Sequence, residues 1–279
     1  MSGRGRHTGS AARARRRRAG GGERPPLALV APAVVAIAFV ALPFVALLQR
    51  APWGDLGGLL RDPVVTDALR LSLIGACAAT GIAVVLGVPL AWLLARTEFP
   101  GRAVVRALVT LPMVLPPVVG GAALLYAFGR RGLVGGPAYD ATGLLLPFST
   151  WGVIVANTFV SMPFLVITVE AGLRSVDRRY EDAAATLGAG RWTTLRRVTL
   201  PLVTPSLAAG ALLAWARALG EFGATVTFAG NLQGRTQTMP LAVFLARESD
   251  QGAAIAISLV LIAVSLLVLV PLRDRWLGP

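Results

Sequence analysis

Residues 253–272 read AAIAISLVLIAVSLLVLVPL, twenty positions without a charge. A helix needs about 20 apolar residues to cross a hydrocarbon core about 30 Å thick, so the stretch predicts a membrane span. Working back along the chain, five more stretches qualify: 27–48, 68–95, 103–128, 144–169 and 206–229. The second, third and fourth of the six exceed the minimum, which predicts tilt, kinks or protruding ends. The fold class expected is an all-α membrane protein, a polytopic bundle of six transmembrane helices.

Composition agrees and excludes much else. The 279 residues are 55% hydrophobic and 15% charged, with mean hydropathy +0.67; soluble domains carry about 25% charged residues. Such a chain is too apolar to be disordered as a whole. One cysteine, Cys77, and one histidine, His7, exclude a disulfide framework and a cysteine- or histidine-built metal site. No metal or cofactor is expected. All 27 basic residues are arginine, which removes the P-loop lysine, the Schiff base and the Ser-Lys dyad. With no Gly-x-Ser-x-Gly or His-Glu-x-x-His pattern either, the reading is of a protein that is not an enzyme.

Arginine placement sets the expected orientation. Eight arginines precede the first span, including the run 15–18. The positive-inside rule puts that segment in the cytoplasm. Alternate threading then leaves eighteen arginines in cytoplasmic segments and six outside, with both termini inside. Residues 1–26 read as a disordered basic tail near anionic headgroups, 27–272 as the membrane domain, and 273–279 as a second tail. Residues 27–48 are longer than the apolar core of a signal peptide and run into Gln49-Arg50, so they read as a retained span. No nucleic-acid partner is expected.

Within the spans, Ala79, Ala83 and Gly87 form a four-residue stripe suited to close helix packing. Pro89, Pro112, Pro116 and Pro117 interrupt helices, because each lacks an N–H and clashes with the preceding turn. Bent helices around a cavity or moving interface, or kinks alone, both fit them. Arg217 and Glu221 are the conspicuous intramembrane ions, four residues apart and so on one face of a helix. They read either as an ion pair that makes insertion tolerable or as part of a gate. Asn157, Thr158, Ser161, Thr225 and Thr227 are the polar candidates nearby.

Residues 171–205 form the largest polar segment between spans. Ser175-Val176-Asp177 opens a helix, Leu187-Gly188 stops it with glycine as the left-handed cap, and 191–198 predicts a short second helix that Pro201 and Pro205 end. An amphipathic pair of this kind lies on a membrane or is gripped in a partner's groove.

The run Asp182-Ala183-Ala184-Ala185-Thr186-Leu187-Gly188-Ala189, followed by Val198-Thr199-Leu200-Pro201, resembles the EAA signature of ABC importer permeases. That signature is Glu-Ala-Ala, three residues, Gly, nine residues, then Ile/Val-x-Leu-Pro. Asp182 stands where the family has Glu, with Glu181 beside it. A narrower likeness covers 68–272. Leu111-Pro112-Met113-Val114-Leu115-Pro116-Pro117, Arg217-Ala218-Leu219-Gly220-Glu221-Phe222-Gly223-Ala224-Thr225 and the 230–241 loop are similar to molybdate permeases, and Gly-Glu-Phe-Gly is shared with sulfate permeases.

The resemblance implies a permease cycling between inward- and outward-facing states for an oxyanion, most closely molybdate, with tungstate, sulfate or thiosulfate as alternatives. It implies a second copy of the chain, two cytoplasmic ATPase subunits, an external oxyanion-binding protein and residence in a bacterial plasma membrane. Glu181, Asp182, Ala183, Ala184, Leu187, Gly188, Val198, Leu200 and Pro201 become the ATPase-coupling residues. Arg217, Glu221, Phe222, Thr225, Asn157, Ser161, Pro116 and Pro117 become candidates for the path or gate. Asn231, Thr236, Gln237 and Thr238 belong to an external loop. An ion-driven secondary carrier is the rival reading, but it leaves the 171–205 loop unexplained.

Overall fold

A computed structural model describes residues 26–276, and all regular structure among them is helical. The expected basic tail, save Pro26, and residues 277–279 lie outside the described residues. Helix α1 (Leu27–Gln49) belongs to a unit of its own, Met1–Arg50. It is apolar throughout and contains Pro32 and Pro43.

The second unit begins at Ala51. After the single turn α2 (Leu56–Leu59), the long helix α3 (Pro63–Arg96) starts with Pro63 in its first turn, while Asp62 Oδ1 accepts the Val64 N–H at 2.7 Å. That is the cap-then-proline start that leaves fewest orphaned donors. Its 34 residues extend roughly 51 Å at 1.5 Å per residue, well beyond the hydrocarbon core. Helix α7 (Thr150–Ser175) starts where Ser149 Oγ accepts the Gly152 N–H.

Helices α3 and α7 pack on each other and on α10 (Leu200–Leu219). Ala91, Leu94, Leu165, Val166, Val169, Val203 and Ala214 form the largest shared core. The stripe Ala79, Ala83 and Gly87 is buried in this packing. Small residues bring the backbones close, and dispersion then holds them in a setting without hydrophobic drive between helices. Helix α13 (Gln251–Trp276) packs on α12 (Met239–Ser249) and α10.

Among the described residues, five helices are long and apolar enough to span a membrane. The third of the six expected stretches is instead two shorter helices, α4 (Arg102–Val114) and α5 (Pro117–Phe128). Leu115 and Pro116 between them are extended, with ψ of 140° and 132°. Each precedes a proline, and the proline ring drives the residue before it out of the helical region. The kink expected at Pro116-Pro117 is therefore a break. Helix α6 (Gly135–Thr142) occupies the loop that follows.

The segment after α8 (Arg179–Thr186) departs from expectation. Pro201 and Pro205 do not end a short helix. Helix α9 (Arg191–Thr194) runs through a five-residue π turn, Leu195–Thr199, directly into α10, which holds both prolines. Within it the Leu200 N–H donates five residues back, to Leu195 C=O. Widening the ladder just ahead of Pro201 accommodates the missing donor and the ring. The fifth expected stretch, 206–229, also divides: α10 stops at Leu219, and α11 (Gly223–Phe228) begins after a break at Gly220-Glu221-Phe222.

Candidate functional sites at the elbow and the helix break

The polar elbow between α7 and α10 is built locally. Asp177 Oδ1 accepts the Arg179 N–H at 2.9 Å in a turn just ahead of α8, whose N-cap is Arg178. Gly188 closes α8 at φ +82°, with its N–H on Ala185 C=O and the Ala189 N–H on Ala184 C=O. An L side chain resists that left-handed turn, so the glycine is required by geometry.

Helix α8 is tied inward through one carboxylate. Glu181 Oε1 accepts from Arg96 Nη2 at 3.0 Å and from the Thr199 hydroxyl at 2.9 Å. One acid thereby joins α8 to the last residue of α3 and to the π turn. The neighbouring acid, Asp182, is exposed, as are Ala183, Leu187, Gly188 and Pro201, while Ala184, Val198 and Leu200 are half-buried. Leu187 is 88% exposed. The elbow is thus locked on one side and presents an apolar knob with an acid on the other. Arg196 stacks over the Trp192 ring at 6.0 Å, steadying α9.

Above the elbow, three helix ends meet at Glu170. Its Oε1 accepts from Arg106 Nη2 of α4 at 2.6 Å and from Arg174 one turn along α7. Arg102 and Arg174 also reach the Leu94 carbonyl near the end of α3. Charge-assisted bonds of this kind are about twice as strong as neutral ones. Arg96, Arg106 and Arg174 escaped the sequence reading because each has a partner 64 to 85 residues along the chain; Arg102 and Thr199, whose partners lie 8 and 18 residues away, were not singled out either.

The second site is the break between α10 and α11. Arg217 Nη1 and Glu221 Oε2 are paired at 2.5 Å, but Glu221 lies past the end of α10 and not on a shared helical face. Its other oxygen accepts the Ala224 N–H at 2.7 Å, capping α11. Cation in a last turn and anion at a first turn each complement the helix dipole. Both roles fit a carboxylate that is 2% exposed, while the Arg217 side chain stays 28% exposed.

Around α11 most of the remaining candidates converge. Asn157 Oδ1 of α7 accepts from the Thr225 hydroxyl at 3.3 Å. Phe222 packs against Phe244 with the rings tilted by 53° and centroids 5.2 Å apart. Gly223 lies against Pro117 so closely that an added Cβ would be 2.7 Å from the proline Cβ. The two broken helices therefore cross at this point, α5 on α11. Pro116 is exposed at its own break. Ser161 is fully buried, one turn beyond Asn157, and its hydroxyl has no partner among the described residues.

In the loop before α12, Thr236, Gln237 and Thr238 are buried and Asn231 is half-buried. Thr236 Oγ1 accepts the Leu232 N–H, and Ser72 Oγ of α3 accepts the Met239 N–H at 2.7 Å. Ser72 is a further residue the sequence did not single out.

Comparison with known proteins bears on the family. The family model described as "Binding-protein-dependent transport system inner membrane component" matches residues 83–279. The chain is 50% identical over 246 residues to a Mycobacterium tuberculosis protein named "Molybdenum transport system permease protein ModB", covering 88% of this chain and 92% of that one. The Escherichia coli K12 protein of the same name is 41% identical over 220 residues, covering 79% and 96%. Among solved structures, a bacterial ABC transporter involved in the import of the acidic polysaccharide alginate superposes with a TM-score of 0.68 at 17% identity, covering 89% of this chain and 93% of that one. That likeness is one of fold.

Proposed function

This chain belongs to the family of binding-protein-dependent transport system inner membrane components, and from that premise we propose that it is the permease subunit of an ATP-driven molybdate importer. The observation that carries the reading is the elbow, with Glu181 locked to α3 and the π turn while Leu187 and Asp182 face outward.

In this reading the elbow faces the cytoplasm and docks in a groove on an ATPase subunit. Two copies of the chain and two ATPases form the assembly, and an external oxyanion-binding protein delivers cargo. Closure of the ATPases on nucleotide displaces the elbow. Glu181 passes that displacement to α3 through Arg96 and to α10 through Thr199, a rigid-body transition between two packed states. The crossing of α5 and α11 then lies near the path, with Arg217, Glu221, Phe222, Thr225, Asn157, Ser161, Pro116 and Pro117 as its residues. A dianion needs a route without a bare fixed negative charge. The acid at the break is covered by Arg217 and a helix N-terminus, which meets that need.

The test uses Leu187→Cys in a Cys77→Ser background, reconstituted with the ATPase and the binding protein. A crosslink from position 187 to the ATPase that changes with ATP, and molybdate accumulation that persists in excess sulfate, are expected. Concentrative uptake by the chain alone would refute the proposal, and full competition by sulfate would reassign the cargo.

A further inference from the structure

Two cavities meet where α3 ends. The first, about 320 Å³, is walled almost wholly by carbon: Val88, Pro89 and Trp92 of α3, Leu173 of α7, and Leu195 and Val203 beyond the elbow. The second, about 780 Å³, holds Arg96, Arg178, Arg191 and Thr194, with the acids Glu181 and Asp182. Trp92, Trp192 and Leu195 line both, so the apolar pocket continues into the polar one. Next to them a third hollow is lined by Trp192, Thr193, Arg196 and Arg197 and contains no acid.

The side chain of Arg96 is 8% exposed and spends one nitrogen on Glu181, yet its buried Nε has no partner among the described residues. A guanidinium so enclosed ordinarily satisfies its donors. Trp92, one turn before Arg96, and the exposed Trp192 are residues that favour the boundary between hydrocarbon and water.

We propose that these cavities bind one anionic phospholipid, its phosphate among Arg96, Arg178 and Arg191 and an acyl chain in the pocket beside Val88 and Leu173. A free phosphate would leave the apolar pocket bare. A soluble protein docked on the elbow would border the polar cavity, which Asp182 also lines, but would not reach the apolar pocket set a turn or more inside a spanning helix. A lipid supplies both chemistries at the depth where each is found, and basic pockets between transmembrane helices bind such headgroups. The site is separate from cargo and does not depend on which oxyanion is carried.

The test places the full-length chain in phosphatidylcholine vesicles containing either phosphatidylglycerol or phosphatidylcholine with brominated acyl chains, at equal mole fraction. Bromine quenches tryptophan fluorescence on contact. Brominated phosphatidylglycerol is expected to quench more, with a preference of roughly 30-fold in competition for two added arginine contacts. The excess should vanish in Trp92→Phe/Trp192→Phe and in Arg178→Gln/Arg191→Gln. It should survive in Arg130→Gln/Arg131→Gln, which removes the same charge between α5 and α6. Arg178 and Arg191 are exposed, so their loss leaves the packing intact. Equal quenching by the two lipids in the unaltered chain overturns the proposal. So does an equal fall in both arginine variants, which would mark diffuse attraction. A signal that changes only when the ATPase subunit is added would give the polar cavity to that protein and overturn it as well.

Discussion

Replacing Glu181 by alanine removes the one carboxylate that holds α8 to the bundle. Arg96, whose side chain is 8% exposed, would keep its charge without its ion-pair partner, and the Thr199 hydroxyl would lose its acceptor. Truncating one member of a buried pair costs about 3–5 kcal/mol, and an exposed pair is worth about 0–1 kcal/mol. Glu181 is 23% exposed, which places the loss at about 2 kcal/mol. At tenfold per 1.4 kcal/mol, the tethered elbow becomes roughly 30-fold less favoured, and the melting midpoint falls by about 4–8 °C. Glu181→Gln keeps an acceptor for both donors but loses the charge assistance, so it should recover about half of the difference. Asp182→Ala, on the exposed side, should stay within about 0.5 kcal/mol of the parent in stability while weakening association with the ATPase. Thermal unfolding in detergent and molybdate uptake in reconstituted assemblies read both quantities. If Glu181→Ala and Asp182→Ala melt together and transport alike, the inward and outward roles assigned to the two acids are wrong.

Two further outcomes concern the break. Arg217→Gln should lower molybdate uptake while leaving ATPase association unchanged, since the guanidinium covers a carboxylate far along the chain from the elbow; undiminished uptake would make the pair purely structural. Gly223→Ala drives a methyl against the rigid Pro117 ring and should cost about 1–3 kcal/mol, seen as a lower melting midpoint, and an unchanged midpoint would show that α5 and α11 do not cross so closely.

What sequence could supply here was whatever is written locally. Uninterrupted apolar length marked the spans, Pro112, Pro116 and Pro117 marked an interruption, and Gly188 announced its own left-handed turn. The elbow's orientation was not local. Ala183, Ala184 and Ala185 offer methyl groups on every side, so no hydrophobic face fixes the phase of α8, and Glu181 and Asp182 look interchangeable until α3 is in place. The bond that decides between them spans 85 residues. The π turn was equally hidden: Pro201 and Pro205 read as terminators because the widening that tolerates them carries no residue signature. At the break, the spacing of Arg217 and Glu221 foretold their contact but suggested a continuous helix, whereas Gly220 ends α10 before the acid is reached.

The two carboxylates buried among the described residues share a property with consequences for biosynthesis. Glu170 and Glu221 each carry an arginine four positions away, Arg174 and Arg217. As each segment leaves the ribosome and partitions sideways into lipid, its acid already travels with a counter-ion from the same stretch of nascent chain. Neither glutamate must wait for a distant helix before entering the bilayer. Arg106, 64 residues from Glu170, joins later, when the bundle closes, as reinforcement of a charge already neutralised.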